Sequence, residues 1–245
     1  MFEFNMDAHM HFDLYDNREQ VLQYVKNHKS YTIAVTNLPQ LFKRYRNICE
    51  GNEYVQLALG FHPELVYEYK SQERLFSELV HETRYIGEVG LDFAKKSKED
   101  IDAQIEMFTK IISWCTGKRK ILSVHSRSAV KKVLDLLEDF DGVVMLHWYS
   151  GGIAELDRAI SRGYYFSVNH QMVQSANGRK IIERIPVEKI LLESDAPFTK
   201  GLKDRYSIAF NEELYSYLSQ HYHQDTEVVK KRIKANFAAL LKKSK

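Results

Sequence analysis

The chain has 245 residues, 35 basic and 33 acidic side chains, a net charge of +2, 44% hydrophobic and 28% charged residues. Those proportions belong to an ordinary globular protein rather than a disordered one, and the near balance of charge argues against a broad electropositive surface for long duplex DNA. Two cysteines, Cys49 and Cys115, without CxxC spacing argue against a disulfide framework or a cysteine zinc cluster.

The N-terminal MFEFNMDAH lacks a basic stretch followed by an apolar one, and no apolar run reaches the roughly 18 residues of a membrane span, so a reducing cytoplasm is the expected location. Eight segments then read as strands: residues 2–6, 31–36, 54–60, 84–90, 120–125, 143–148, 164–168 and 189–195. Each is rich in β-branched or aromatic residues, and most of the stretches between them have helical periodicity, which predicts a parallel sheet covered on both faces. Residues 98–114 place Ile101, Ile105, Phe108 and Ile112 at spacings of three and four, predicting a buried stripe. SAVKKVLDLLED repeats the pattern with Val130, Val133, Leu134 and Leu137, with Ser128 as its expected N-cap. The last helix, DTEVVKKRIKANFAALLKK, offers Val229, Ile233, Phe237 and Leu240. Eight β/α units in this length predict an α/β fold of the (β/α)8 TIM-barrel type. The four prolines are scattered and no linker divides the chain, so residues 1–245 are expected to form one domain. Basic clusters at Lys95–Lys98, Lys118–Lys120 and the C-terminal KKSK read as solvated surface.

Such barrels carry their chemistry at the C-terminal ends of the strands. In MDAHMHFDLY, residues 6–15, His9 and His11 would share one face of a strand, which by itself suits either a metal pair or ordinary polar surface. The other strand ends add His62, Glu88, His125, His147 and Asp195, so five of the ten histidines converge on one rim with two carboxylates. That convergence favours the metal site. Glu193 lies one strand period before Asp195 and reads as a support for the ligands rather than a ligand.

In order, DAHMH, GFHPE, IGEVGLDF, SVHSR, LHWYSG and ESDAPF make the chain resemble the TatD-type metal-dependent deoxyribonucleases of the amidohydrolase superfamily, from Met6 to Pro197. Within that family it is similar to the TatD-like members found in Qat anti-phage defence operons, through DLY after the histidine pair, ALGFHPEL and FSVNHQMV. The resemblance implies that His9 and His11 bind one divalent ion, that Glu88 bridges to a second held by His125 and His147, and that Asp195 is a ligand that also takes the proton of the attacking water. Glu88 and Asp195 are thus the implied catalytic residues. Two ions suit displacement at a phosphodiester, and the mixture of imidazole and carboxylate favours Zn or Mn over an all-oxygen Mg site.

The implied substrate is DNA, cut as a 3'–5' exonuclease would cut single-stranded or frayed ends, with operon-encoded proteins as partners. His62 is expected near the scissile phosphate. Arg127 suits either a phosphate or an ion pair, and Trp148 is the stacking candidate for a base. Phe61, Phe93, Tyr149 and Phe198 are expected to pack within the barrel or its rim. Trp148 departs from the family, where cysteine is common, and after Asp195 only Lys200, Lys203 and Arg205 are obvious anion binders. A small-molecule amidohydrolase is an alternative on the same barrel, although many of those bridge their metals with a carbamylated lysine where this chain has Glu88. A metal-binding assembly subunit is another, although no ligand of the set is missing.

Overall fold

The computed structural model describes residues 4–243. Its eight strands are β1 (Asn5–Met10), β2 (Ser30–Ala34), β3 (Val55–Leu57), β4 (Tyr85–Gly90), β5 (Ile121–His125), β6 (Val143–His147), β7 (Tyr165–Val168) and β8 (Ile190–Leu192). Every neighbouring pair within β1–β3 and within β4–β8 is parallel. Backbone hydrogen bonds close the two seams. Between β3 and β4, Leu59 N–H donates to the Tyr85 carbonyl and Gly87 N–H to the Leu59 carbonyl, each at 2.9 Å. Between β8 and β1, Asp195 N–H donates to the His9 carbonyl and His11 N–H to the Ala196 carbonyl, again at 2.9 Å. The result is a (β/α)8 barrel with near-continuous apolar strands buried inside a helical layer, as expected of parallel sheets covered on both faces.

The strand ends differ from expectation where the chain leaves the ladder to build the mouth. β1 runs to Met10, so His9 is in the strand and His11 directly follows it; Phe2 and Glu3 of the expected segment lie outside the described residues. β3 stops at Leu57 because Thr36 takes over pairing: its hydroxyl receives Gly60 N–H at 3.1 Å, while its backbone pairs with Gly87 and Glu88. β8 stops at Leu192, and Asp195 sits at φ +47°, in the left-handed region that ends extended structure. Asp195 is therefore aimed by a turn and not by strand alternation.

The helix Lys98–Cys115 is capped by Ser97, whose hydroxyl accepts the Asp100 N–H at 3.2 Å. Its buried stripe is Gln104, Met107, Phe108, Ile111 and Cys115; Ile101, Ile105 and Ile112 are only half-buried. Two adjacent apolar stripes were available, and the one chosen swings Gln104 inward so that its amide oxygen accepts the Asp92 N–H at 2.8 Å, in the loop after β4. Val130, Val133 and Leu134 of the helix Val130–Leu136, and Leu137 just after it, are buried as expected, but Ser128 does not cap it: φ is +57° there and Ala129 precedes the helix without a side-chain cap.

The helix Thr226–Lys243 buries Val229, Ile233, Phe237 and Leu240 as expected, and its Asn236 amide donates to the Val187 and Ile190 carbonyls at 2.6 and 2.9 Å, docking it beside β8. Ser244 and Lys245 of the KKSK cluster lie outside the described residues. Both cysteines are buried free thiols. Among the described residues no helix is long and apolar enough to cross a membrane.

Candidate metal centre

Glu88, delivered by β4, sits between two sets of histidines and divides its oxygens between them. Its Oε2 lies 3.3 Å from His11 Nε2 and 3.6 Å from His9 Nε2. Its Oε1 lies 2.6 Å from His125 Nδ1, 2.8 Å from His147 Nε2 and 3.5 Å from His62 Nε2. Asp195 Oδ1 stands 3.6 Å from both His9 and His11 Nε2, and those two nitrogens are 3.2 Å apart. All seven residues gathered from the strand ends thus meet at one place. Ligands held at about 2.1 Å in a tetrahedron stand about 3.4 Å from each other, and His9 and His11 stand 3.2 Å from one another and 3.3–3.6 Å from Asp195 Oδ1 and Glu88 Oε2.

Among the described residues three trios have ligand atoms close enough for one ion: His9–His11–Asp195, His9–Glu88–His147 and His62–Glu88–His125. Mixed imidazole and carboxylate donors, pooled in a buried pocket, fit a divalent cation of the Zn or Mn type.

His9 and His125 are each held from behind by a hydrogen bond, whereas the buried Nδ1 atoms of His11 and His147 have no hydrogen-bond partner among the described residues. His9 Nδ1 is 2.7 Å from Ser123 Oγ. His125 Nε2 is 2.9 Å from Asp92 Oδ2, whose other oxygen accepts the Ala94 N–H at 2.9 Å; this leaves Nδ1 directed at Glu88. Glu193 accepts the Trp148 N–H at 3.0 Å, the Asn169 amide at 3.1 Å and the Ser167 hydroxyl, and stands 3.8 Å from His147 Nδ1. It supports the ligand set without joining it, as its sequence position suggests. Asp7 ties β1 to β8: it accepts His9 N–H at 3.2 Å, Ser194 N–H at 2.9 Å and the Tyr206 hydroxyl at 2.9 Å.

Sequence reasoning missed Asp7, Asp92 and Ser123 in these roles. The signals were present: Asp7 and Ser123 each lie two residues before a histidine of the site, on the same strand face, and Asp92 belongs to the GLDF turn after Glu88.

Burial and mutual charge set the protonation states. Burial opposes ionisation of Glu88, but His62, His147, His11 and His125 outweigh it and hold the carboxyl well below its usual range. Burial keeps His9 neutral, reinforced by His147. For His147, burial is overcome by Glu88 and Glu193, and its pKa is raised well above the ordinary value. His125 and His11 are also raised against burial, His125 by Asp92 and Glu88 and His11 by Glu88 and Asp195. Burial pushes Asp195 up to about 7 although His147 and His11 oppose it. The same cause lifts Asp7 to about 7 against its three donors.

The site opens into a cavity of about 450 Å³ that takes in His62, Arg127, Trp148 and Phe198. His62 caps the short helix Pro63–Val66, accepting the Glu64 N–H on Nδ1 at 3.2 Å and leaving Nε2 toward Glu88. Arg127 is largely exposed, with Nη1 3.9 Å from Asp92, so its guanidinium is only loosely engaged. Trp148 is half-buried at φ +37°. Phe61 and Tyr149 are buried packing, as expected, and Phe93 is half-buried. Phe198 is different from its expected packing role: it lines the cavity and is 60% exposed, since the turn after Asp195 carries it outward. Lys200, Lys203 and Arg205 are exposed and do not line the cavity.

A closed (β/α)8 barrel whose C-terminal mouth pools five imidazoles and two carboxylates around one cavity defines a metal-dependent hydrolase. Residues 6–242 match the family model for TatD related DNase, and the chain belongs to that family. Over 210 residues it is 29% identical to an uncharacterized metal-dependent hydrolase of Methanocaldococcus jannaschii, MJ1582, covering 81% of this chain and 80% of that one. It is 27% identical to the deoxyribonuclease Tat-D of Schizosaccharomyces pombe over 76% of this chain and 57% of that one. The crystal structure of YJJV, a TatD homologue from Escherichia coli, superposes with a TM-score of 0.84 at 19% identity, covering 98% of each chain.

Proposed function

We propose that this protein hydrolyses phosphodiester bonds of DNA with two divalent ions, as a 3'–5' exonuclease on single-stranded or frayed ends. One observation carries the reading: Glu88 offers one oxygen to the His9–His11 pair and the other to the His125–His147 pair, in a family whose relatives include named deoxyribonucleases. His9, His11, Asp195 and Glu88 would hold one ion, and Glu88, His125 and His147 the other, of Zn, Mn or Mg. When bound, such ions supply Lewis acidity toward a phosphate oxygen and make water a usable nucleophile at neutral pH.

The chain's own groups do the rest. Glu88 stays ionised and fixes the spacing between the two ligand sets. Asp195, at the edge of the cavity, takes the proton of the attacking water. His62 Nε2 and the loosely engaged Arg127 guanidinium are positioned to donate to non-bridging phosphate oxygens, and Trp148 offers an aromatic surface to a base. A near-neutral chain with a concave mouth suits a strand end entering a pocket better than a duplex lying across a surface.

The reading treats residues 1–245 as one domain working in a reducing cytoplasm, where two buried thiols stay free. Similarity to the TatD-like members of Qat operons supports a part in anti-phage defence beside operon-encoded partners. The direct test is incubation of the metal-loaded protein with end-labelled single-stranded and duplex DNA and RNA, followed by product sizing. A one-nucleotide ladder from the 3' end of DNA is expected; no cleavage of any nucleic acid refutes the reading.

A further inference from the structure

Phe198 is the most exposed large apolar side chain among the described residues, at 60%, yet it is not on a loose loop. Its N–H donates to the Asp195 carbonyl at 2.9 Å, Thr199 Oγ1 donates to the Ser194 carbonyl at 2.6 Å, and His11 N–H holds the Ala196 carbonyl at 2.9 Å. These bonds fix the turn that carries the ring into the cavity mouth. The ring meets the His11 imidazole at 5.2 Å and 87°, so it packs against a residue of the metal centre and still leaves most of its surface to solvent. The cavity, about 450 Å³, is near the small end of ligand sites, which run to about 1,000 Å³, and suits one nucleotide rather than a length of chain. The imidazoles of its floor face Glu88 and Asp195. Its large apolar rings are Trp148 and Phe198, and of the two Phe198 is the more exposed.

We infer that Phe198 is the stacking platform for the terminal nucleobase of a polynucleotide, a specificity residue that makes binding dependent on the presence of a base and tolerant of its identity. This rests on the reading of the site as acting on nucleic acid. Every base presents a π-face, so a platform of this kind discriminates against a missing base more than between bases.

The test is fluorescence anisotropy with a labelled single-stranded oligonucleotide whose terminal linkages are phosphorothioates, so that binding is read without turnover. A matched oligonucleotide lacks the terminal base, with 3' and 5' versions run in parallel. Phe198→Ala should weaken binding of the intact oligonucleotide about 5- to 150-fold. Phe198→Tyr and Phe198→Trp should restore it, while Phe198→Leu, apolar but without a planar face, should not. On the oligonucleotide lacking the contacted base, wild type and Phe198→Ala should bind alike. Equal binding of the intact oligonucleotide by wild type and Phe198→Ala overturns the inference, as does restoration by Phe198→Leu or an undiminished loss on both base-less oligonucleotides. Turnover of the unmodified oligonucleotide reports separately on hydrolysis. Binding with the expected Phe198 dependence but no cleavage keeps the platform and refutes the nuclease, whereas no binding at all refutes both.

Discussion

Asp92→Asn isolates how a residue outside the proposed ligand set governs the proposed metal centre. The native carboxylate accepts twice, from the Ala94 N–H on Oδ1 and from His125 Nε2 on Oδ2, each at 2.9 Å. An asparagine amide has one accepting end. If its oxygen keeps Ala94, the NH2 faces His125 Nε2 and drives the imidazole proton to Nδ1, the nitrogen that must be free to ligate. If the amide turns over, the Ala94 N–H faces a donor and loses its partner, costing about 1–3 kcal/mol. The first outcome weakens the ligand set around Glu88 Oε1 through the tautomer of His125, the second only by loosening the loop that carries residue 92, and both leave His9 and His11 untouched.

Loss of such a supporting carboxylate typically costs 10- to 100-fold in metal affinity, about 1.4–2.7 kcal/mol. The assay is hydrolysis as a function of added Mn, beside calorimetric titration of the same metal. The half-activating concentration should rise about 10- to 100-fold, with activity recovered at saturating metal. An Asp92→Asn protein that matches wild type in both titrations would show that the contact with His125 is incidental.

His9→Ala, Glu88→Ala and Asp195→Asn should each abolish hydrolysis while circular dichroism still reports a folded barrel; wild-type activity in any one removes that residue from the mechanism. Chelation should silence the enzyme and added Mn or Mg revive it. His11, His125 and His147 hold their protons more tightly than ordinary histidines in the metal-free chain, so ligation must expel protons. Affinity should accordingly be weaker at about pH 6 than at about pH 8, with buffer-dependent calorimetric heats, and a flat profile contradicts this. Closed circular single strands should resist degradation and the salt dependence should be shallow, because a strand end in a pocket neutralises few phosphates; circles cut as fast as linear strands rule out end binding. If the proposed part in anti-phage defence holds, Glu88→Ala or Asp195→Asn in this chain should forfeit phage protection in cells carrying the operon that encodes it, and full protection by both would shift its role to assembly.

The sequence by itself determined the barrel and the seven residues at its mouth. Both rest on local rules: strands alternating with helices admit few topologies, and strand ends of a parallel barrel must share a rim. The stripe of the last helix, Val229, Ile233, Phe237 and Leu240, was legible because its large apolar residues recur at spacings of three and four.

Only the tertiary structure decided among local equals. The helix Lys98–Cys115 offered two stripes, and the one buried carries Gln104, whose amide oxygen accepts the Asp92 N–H of the loop after β4. Which oxygen of Glu88 faces which histidine, and that Asp92 and Ser123 stand behind His125 and His9, are contacts across 26 to 114 residues, for which no spacing rule exists. The exposure of Phe198 followed from the same limit: its alphabet places it in a core, and the turn that orients Asp195 carries it outward into the cavity mouth.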